Sequence, residues 1–107
     1  MANGFTELQR YALCLMQVLL GVISNNFRSV SIARYAQRIV VRIILAMHCD
    51  EDIEEIDDMK TEFEALMPGP IDFDIEVVIS DEPIVLEPPD QSKIMIFKRR
   101  ESSEIKM

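Results

Sequence analysis

The chain has 107 residues, of which 49% are apolar and 28% are charged, and its formal net charge is −8. This length predicts a single domain over residues 1–107 with one hydrophobic core, residues 101–107 forming a polar tail. The apolar fraction excludes a disordered chain. Only three glycines are present, which excludes the glycine-rich phosphate loops of nucleotide-binding enzymes.

The first predicted element is an amphipathic helix over residues 6–22. Thr6 and Gln9 fit a capping box at its start. Its apolar residues recur at helical spacing and are Leu8, Tyr11, Ala12, Leu15, Leu19 and Val22. Leu13 and Leu20 fall on the opposite side of the helix and, flanked by Met16 and Val18, could form an apolar patch. We therefore expect a second copy, or the Pro-rich loop over residues 82–90, to bury Leu13 and Leu20.

The apolar run inside this helix must be weighed against membrane and secretion signals. It is too short to span a bilayer, which takes about 20 residues. Glu7 beside Arg10, and the lack of a small-x-small cleavage site at residues 22–24, argue against a signal peptide. Cys14 and Cys49 are the only cysteines, too few for a disulfide framework. We expect reduced thiols in a cytoplasmic protein that has no membrane partner.

A β-hairpin is predicted next. Residues 27–35 are rich in β-branched and aromatic side chains, and residues 38–47 alternate in the way that a strand requires. The two strands are joined at Ala36-Gln37, a tight turn that lacks the usual glycine or asparagine.

A second helix and two more strands follow. Asp50 is the predicted N-cap of a helix that ends at Pro68-Gly69-Pro70. Its apolar stripe consists of Ile53, Ile56, Met59, Phe63, Leu66 and Met67. Residues 71–80 and 93–100 are predicted strands. The order α-β-β-α-β-β predicts an α+β fold, with a four-stranded, mainly antiparallel sheet and two helices on one face. Moving the first strand of a ferredoxin-like fold to the C-terminus would give the same order.

No catalytic apparatus is recognisable. His48 is the only histidine, and its neighbour Cys49 cannot be assumed to form a dyad with it, because adjacent strand side chains point to opposite faces. The spacing of His48 and the two cysteines matches no zinc pattern. We expect a protein that is not an enzyme and binds no metal or cofactor, with His48 serving as a turn residue.

The acidic residues are concentrated in one part of the chain. Residues 50–92 hold sixteen carboxylates against Lys60 alone. This charge disfavours direct nucleic-acid binding and favours a basic protein partner, although it could serve solubility alone. The candidate partner-binding residues lie on the outer face of the second helix and on the exposed side of the third strand: Glu51, Glu54, Asp57, Asp58, Glu62, Asp72, Asp74 and Glu76. For the last three, cross-strand pairing with Arg34, Arg42 or Lys98 is the structural alternative.

Three segments carry a resemblance to a known family. They are GVISNNFRSVSI, DEDIEEIDDMKTEFEALMPGPIDFDIEVVI and IFKRRE. Over about residues 8–101 the chain resembles small acidic immunity proteins, encoded beside toxins of bacterial contact-dependent growth inhibition and related polymorphic toxin systems. The resemblance implies a cytoplasmic protein that occludes the active site of a toxin domain, commonly a nuclease. The alternative is a homodimeric structural or regulatory module that associates through Leu13 and Leu20.

Overall fold

The computed structural model describes residues 4–67, 72–84 and 93–101, with side chains from Glu7 onward. The elements are α1 (Gly4–Leu19), β1 (Phe27–Tyr35), β2 (Arg38–Leu45), α2 (Asp50–Leu66), β3 (Asp72–Ile79) and β4 (Lys93–Lys98). The predicted α+β order is confirmed, and each strand begins within one residue of its predicted start. The helix stop at residues 68–70 and most of the Pro-rich loop lie outside the described residues.

The four strands form one mixed sheet in the order β3-β2-β1-β4. β1 pairs antiparallel with both β2 and β4, whereas β3 pairs parallel with β2. A parallel pair needs a long crossover connection, and α2 provides it. The permuted ferredoxin-like arrangement is wrong, because it would place the last strand between the second and third strands. Here β4 is an edge strand beside β1.

The hydrophobic core lies between one face of the sheet and the two helices. Its buried members are Leu8, Ala12, Leu15, Val18, Leu19, Phe27, Val30, Ile32, Ile39, Val41, Ile43, Leu45, Ile56, Met59, Phe63 and Met67. Phe63 of α2 meets Phe73 of β3 edge to face, with ring centroids 5.2 Å apart, a favourable aromatic geometry. The predicted stripes of both helices are confirmed, except that Leu66 is 45% exposed.

The hairpin turn and the helix starts depart from the expected local chemistry. The tight turn at Ala36-Gln37 is confirmed, and Ala36 has a φ of 57°. That conformation costs a residue with a Cβ about 1–2 kcal/mol. The predicted N-caps are wrong: α2 has Cys49 at its N-cap position without a side-chain hydrogen bond, and α1 begins at Gly4, ahead of Thr6. Asp50 instead stands in the first turn of α2, where the helix dipole favours a carboxylate.

Asn26 ties the hairpin to the start of α2. Its side-chain amide donates to the Met47 carbonyl oxygen at 2.7 Å and to Asp52 Oδ2 at 2.9 Å. Its side-chain oxygen accepts the Met47 N–H at 3.0 Å. The buried carboxylate of Asp52 is thus hydrogen-bonded, as a buried charge must be to be tolerated. These contacts fix where α2 leaves the sheet.

Candidate partner-binding site

The outer face of α2 is an exposed, acidic surface. Ile56, Met59 and Phe63 face the core, so the residues on the opposite side point into solvent. Glu51, Glu54, Asp57, Asp58 and Glu62 are all exposed, as expected. Within the described ranges, none of these five carboxylates has a cation within 4 Å. We call this set the acidic face of α2.

The carboxylates of β3 have a different environment. Asp72, Asp74 and Glu76 are exposed on the sheet face away from the helices. Asp74 makes an ion pair with Arg38, and Arg42 Nε lies 3.6 Å from Glu76 Oε1. The structural alternative of cross-strand pairing therefore holds for two of the three, although Asp74 pairs with Arg38 and not with one of the three expected cations.

Arg34, near the end of β1, is also paired with a carboxylate. Arg34 Nη1 donates to Glu7 Oε1 at 2.5 Å, which joins the end of β1 to α1. The uncompensated negative charge is therefore concentrated on α2.

A groove runs between α2 and β3. Its volume is about 360 Å³. The apolar side chains that line it are Ile53, Ile56, Ile75 and Val77, and Glu54, Asp57 and Lys60 complete the lining. Sequence reasoning missed this groove, because it depends on β3 being at the sheet edge. The β-α-β order indicates that β3 can pair parallel with β2. No local pattern indicates whether another strand lies on the other side of β3 in the sheet.

The sheet face away from the helices carries both charges. A cavity of about 710 Å³ there includes Ser31, Arg38, Arg42, Asp74 and Glu76 in its lining. Because acidic and basic groups alternate and pair, this face has no dominant charge for a partner to recognise.

His48 and the cysteines do not converge on one site. His48 Nε2 lies 2.7 Å from Asp50 Oδ1 at the start of α2, and both side chains are largely exposed. Cys14 Sγ donates to the Leu66 carbonyl oxygen at 3.7 Å, and Cys49 is also a free thiol. In the parts of the chain that the structure describes, no three His, Cys, Asp or Glu residues are grouped to hold a metal. The absence of catalysis, metal and cofactor stays a prediction.

The proposed self-association residues are on the surface. Leu13 is 62% and Leu20 81% exposed, and Met16 beside them is 46% exposed. The apolar patch is smaller than the sequence predicted, because Val18 is buried in the core. The described start of the Pro-rich loop does not cover these leucines, since Pro83 and Ile84 line a cavity together with Ser29 and Met95 on the opposite sheet face. Self-association through α1 stays a prediction.

An ion-pair network joins the start of β1 to the chain segments that follow β3 and β4. Sequence reasoning also missed this network. Arg28 Nε and Nη2 donate to the two carboxylate oxygens of Glu101 at 2.7 and 2.8 Å, and Arg28 Nη1 donates to the Ser80 and Glu82 carbonyl oxygens. Hydrogen bonds from Arg28, and more weakly from Arg99, lower the pKa of Glu101 to about 2. Glu101 is the first residue of the predicted polar tail over residues 101–107, and residues 102–107 lie outside the described part, so the tail stays a prediction.

These features define a small α+β protein whose distinctive chemistry is an exposed acidic surface. Residues 9–101 match the family model described as MafI2 immunity protein. The chain therefore belongs to the MafI2 immunity protein family, and the resemblance to immunity proteins is confirmed. Immunity proteins neutralise a toxin and are generally not enzymes. No curated protein matches the sequence. Among the described helices, none is long and apolar enough to cross a membrane.

Proposed function

We propose that this chain protects a bacterial cell by binding a cognate toxin domain, a basic nuclease, and occluding its active site with the acidic face of α2. The toxin belongs to a contact-dependent growth inhibition or related polymorphic toxin system, and the protein acts in the cytoplasm. Membership of an immunity family supports the toxin-neutralising role. The resemblance of the sequence to immunity proteins of those systems supports the choice of partner.

The observation that carries the proposal is the unpaired charge on α2. The helix has nine carboxylates and one lysine, whereas the carboxylates of β3 are partly compensated by Arg38 and Arg42. Like charges spaced three or four residues apart destabilise an isolated helix by about 0.2–0.5 kcal/mol per pair. A helix selected for stability alone would alternate acidic residues with lysines, so this excess favours a role in recognition.

Nucleases that bind phosphate groups present basic surfaces, and an acidic helix is complementary to them. Charge complementarity raises association rates to about 10⁸–10⁹ M⁻¹s⁻¹ at low salt. Fast capture suits an inhibitor that must reach a toxin before the toxin reaches its substrate.

The test is charge reversal on the acidic face of α2. The triple variant Glu54→Lys, Asp57→Lys, Asp58→Lys should keep its fold, because all three side chains are exposed. Its affinity for the toxin domain encoded beside it should fall at least a hundredfold, since losing one close interfacial charge pair costs about 2–5 kcal/mol. Affinity is measured by calorimetry at several salt concentrations, and protection by growth of cells that express the toxin.

Two matched single-substitution variants provide the control. Asp57→Lys and Glu82→Lys change the net charge equally, and both residues are exposed, but Glu82 lies on the opposite face of the sheet. Only Asp57→Lys should weaken binding and reduce its salt dependence. Unchanged affinity in the triple variant, or equal losses in the two single variants, would refute the role of the acidic face.

A further inference from the structure

One edge of β3 is unpaired among the residues that the structure describes, and this free edge is suited to accept another strand. β3 pairs with β2 over its whole length, in a parallel register that runs without a shift from Arg38↔Asp72 to Leu45↔Ile79. The N–H of Ser80 donates to the Leu45 carbonyl oxygen at 3.0 Å. Backbone groups of alternate residues point to alternate sides of a strand. The backbone N–H and C=O groups of Phe73, Ile75 and Val77 therefore face the free edge, which no described strand covers.

The two edges of the sheet are protected to different degrees. Proteins normally protect edge strands with lysines, prolines, bulges or a covering element. β4 has Lys93 and Lys98 at its ends, a register shift opposite β1, and contact with α1. From Asp72 to Ile79, β3 has neither lysine, proline nor a register shift. Its outward carboxylates would repel a second acidic β3, so a copy of this chain does not fit as the occupant.

The groove beside this edge determines which side chains a new strand would carry. Ile75 and Val77 point toward the helix side of the sheet, where Ile53 and Ile56 complete an apolar groove of about 360 Å³. Side chains of an added strand would alternate between this groove and the other face. On the other face they would lie beside the β3 carboxylates, Asp72 among them, which has no ion pair within the described residues.

We propose that β3 is a docking edge at which the toxin domain adds one strand to the sheet, with apolar side chains in the groove alternating with side chains on the other face, where a basic one lies beside Asp72. This inference rests on the proposed function and specifies how the partner is held. Main-chain hydrogen bonds along the edge supply affinity, and the alternating pockets supply specificity, as in other cases of strand addition. The acidic face of α2 borders the same groove through Glu54 and Asp57, so one basic partner can contact both surfaces.

Amide hydrogen exchange on the unaltered chain tests the proposal. The ¹⁵N-labelled protein is measured alone and with an unlabelled, inactivated toxin domain encoded beside it. Exchange of the edge-facing amides of Ile75 and Val77 should slow at least tenfold in the complex. The amide of Glu76, which faces β2, should be protected already and change little. A complex of correct mass with unchanged exchange at Ile75 and Val77 would overturn strand addition while leaving the proposed function standing. Failure to form any complex would refute both.

A pair of variants at one position separates backbone pairing from side-chain contact. Ile75→Ala and Ile75→Pro both remove the isoleucine side chain, but only proline also removes the edge-facing N–H. Proline is tolerated on an edge strand where the lost N–H points to solvent, and circular dichroism checks that both variants fold. Ile75→Pro should bind the toxin domain at least tenfold more weakly than Ile75→Ala. Equal affinities in two folded variants would contradict the proposal.

Discussion

Replacing Glu101 with glutamine removes the negative charge from the network that joins β1 to the chain after β4. The Arg28 side chain is only 6% exposed and the Glu101 side chain 25% exposed. Glutamine keeps one acceptor oxygen but places an amide group against a guanidinium N–H. Arg28 would retain its hydrogen bonds to the Ser80 and Glu82 carbonyl oxygens, so the guanidinium is not left without partners.

The expected loss of stability follows from this geometry. Removing one member of a buried ion pair costs about 3–5 kcal/mol. Because a quarter of the Glu101 side chain is open to water, which can replace part of the interaction, we expect about 2–3 kcal/mol here. For a domain of this size that corresponds to a fall in Tm of roughly 10–20 °C.

The pH dependence gives a second, independent signature. The folded-state pKa of Glu101 is about 2, below its usual value of 4.5. A depressed carboxylate pKa adds stability that is fully present above the unfolded-state pKa and is lost as pH falls through the folded-state pKa. The stability difference between the parent and Glu101→Gln should therefore be constant above about pH 5 and shrink toward pH 2.

Urea unfolding followed by circular dichroism at several pH values measures this difference. Glu82→Gln is the control, because Arg28 uses only the Glu82 backbone carbonyl, and it should change stability by less than about 0.5 kcal/mol. A Glu101→Gln cost below that same limit, or a cost that does not change between pH 7 and pH 2, would refute the argument.

Three further predictions concern the turn, His48 and α1. Ala36→Gly should raise the unfolding free energy by about 0.5–1 kcal/mol, because glycine adopts positive φ without strain, and this gain exceeds the cost of its greater entropy in the unfolded chain. Lower stability in urea would contradict this. His48→Gln should alter neither protective activity nor metal content; stoichiometric zinc in the parent that is lost in the variant would contradict it. If the homodimer alternative holds, light scattering should give a dimer for the parent and a folded monomer for Leu13→Gln, Leu20→Gln; equal masses would reject dimerisation through α1.

The elements were predictable from the sequence because their signals are local. A period of two in β3 and a period near 3.6 in α2 need only neighbouring residues to be read. The order of the strands was not predictable in this way. It depends on β4 pairing with β1, a choice made by packing across the whole sheet. Helix starts were misjudged by one or two residues, since an extended Cys49 occupies the N-cap position of α2 although Asp50 is the better capping residue.

The residues of the candidate surfaces were predictable from the sequence, but whether their charges are paired was not. Residue spacing alone predicted that the carboxylates on the acidic face of α2 and those of β3 are exposed. Whether they are neutralised depends on which cations stand opposite in the sheet, as with Asp74 and Arg38. The ion pair between Arg28 and Glu101 was missed for the same reason. The two residues are 73 positions apart along the chain.

The pairing of β1 on its two sides has a consequence for biosynthesis. β2 follows β1 after a two-residue turn, whereas β4 comes from residues 93–98, more than half the chain later. Closing so long a loop costs chain entropy before any contact is gained, so β4 is expected to add more slowly than the hairpin forms. While the chain is being translated, β1 therefore keeps one side unpaired until residues 93–98 have been synthesised. Under the proposed function, a ribosome that stops before residue 93 releases a product without its fourth strand and without Glu101, so protection depends on translation through residue 101.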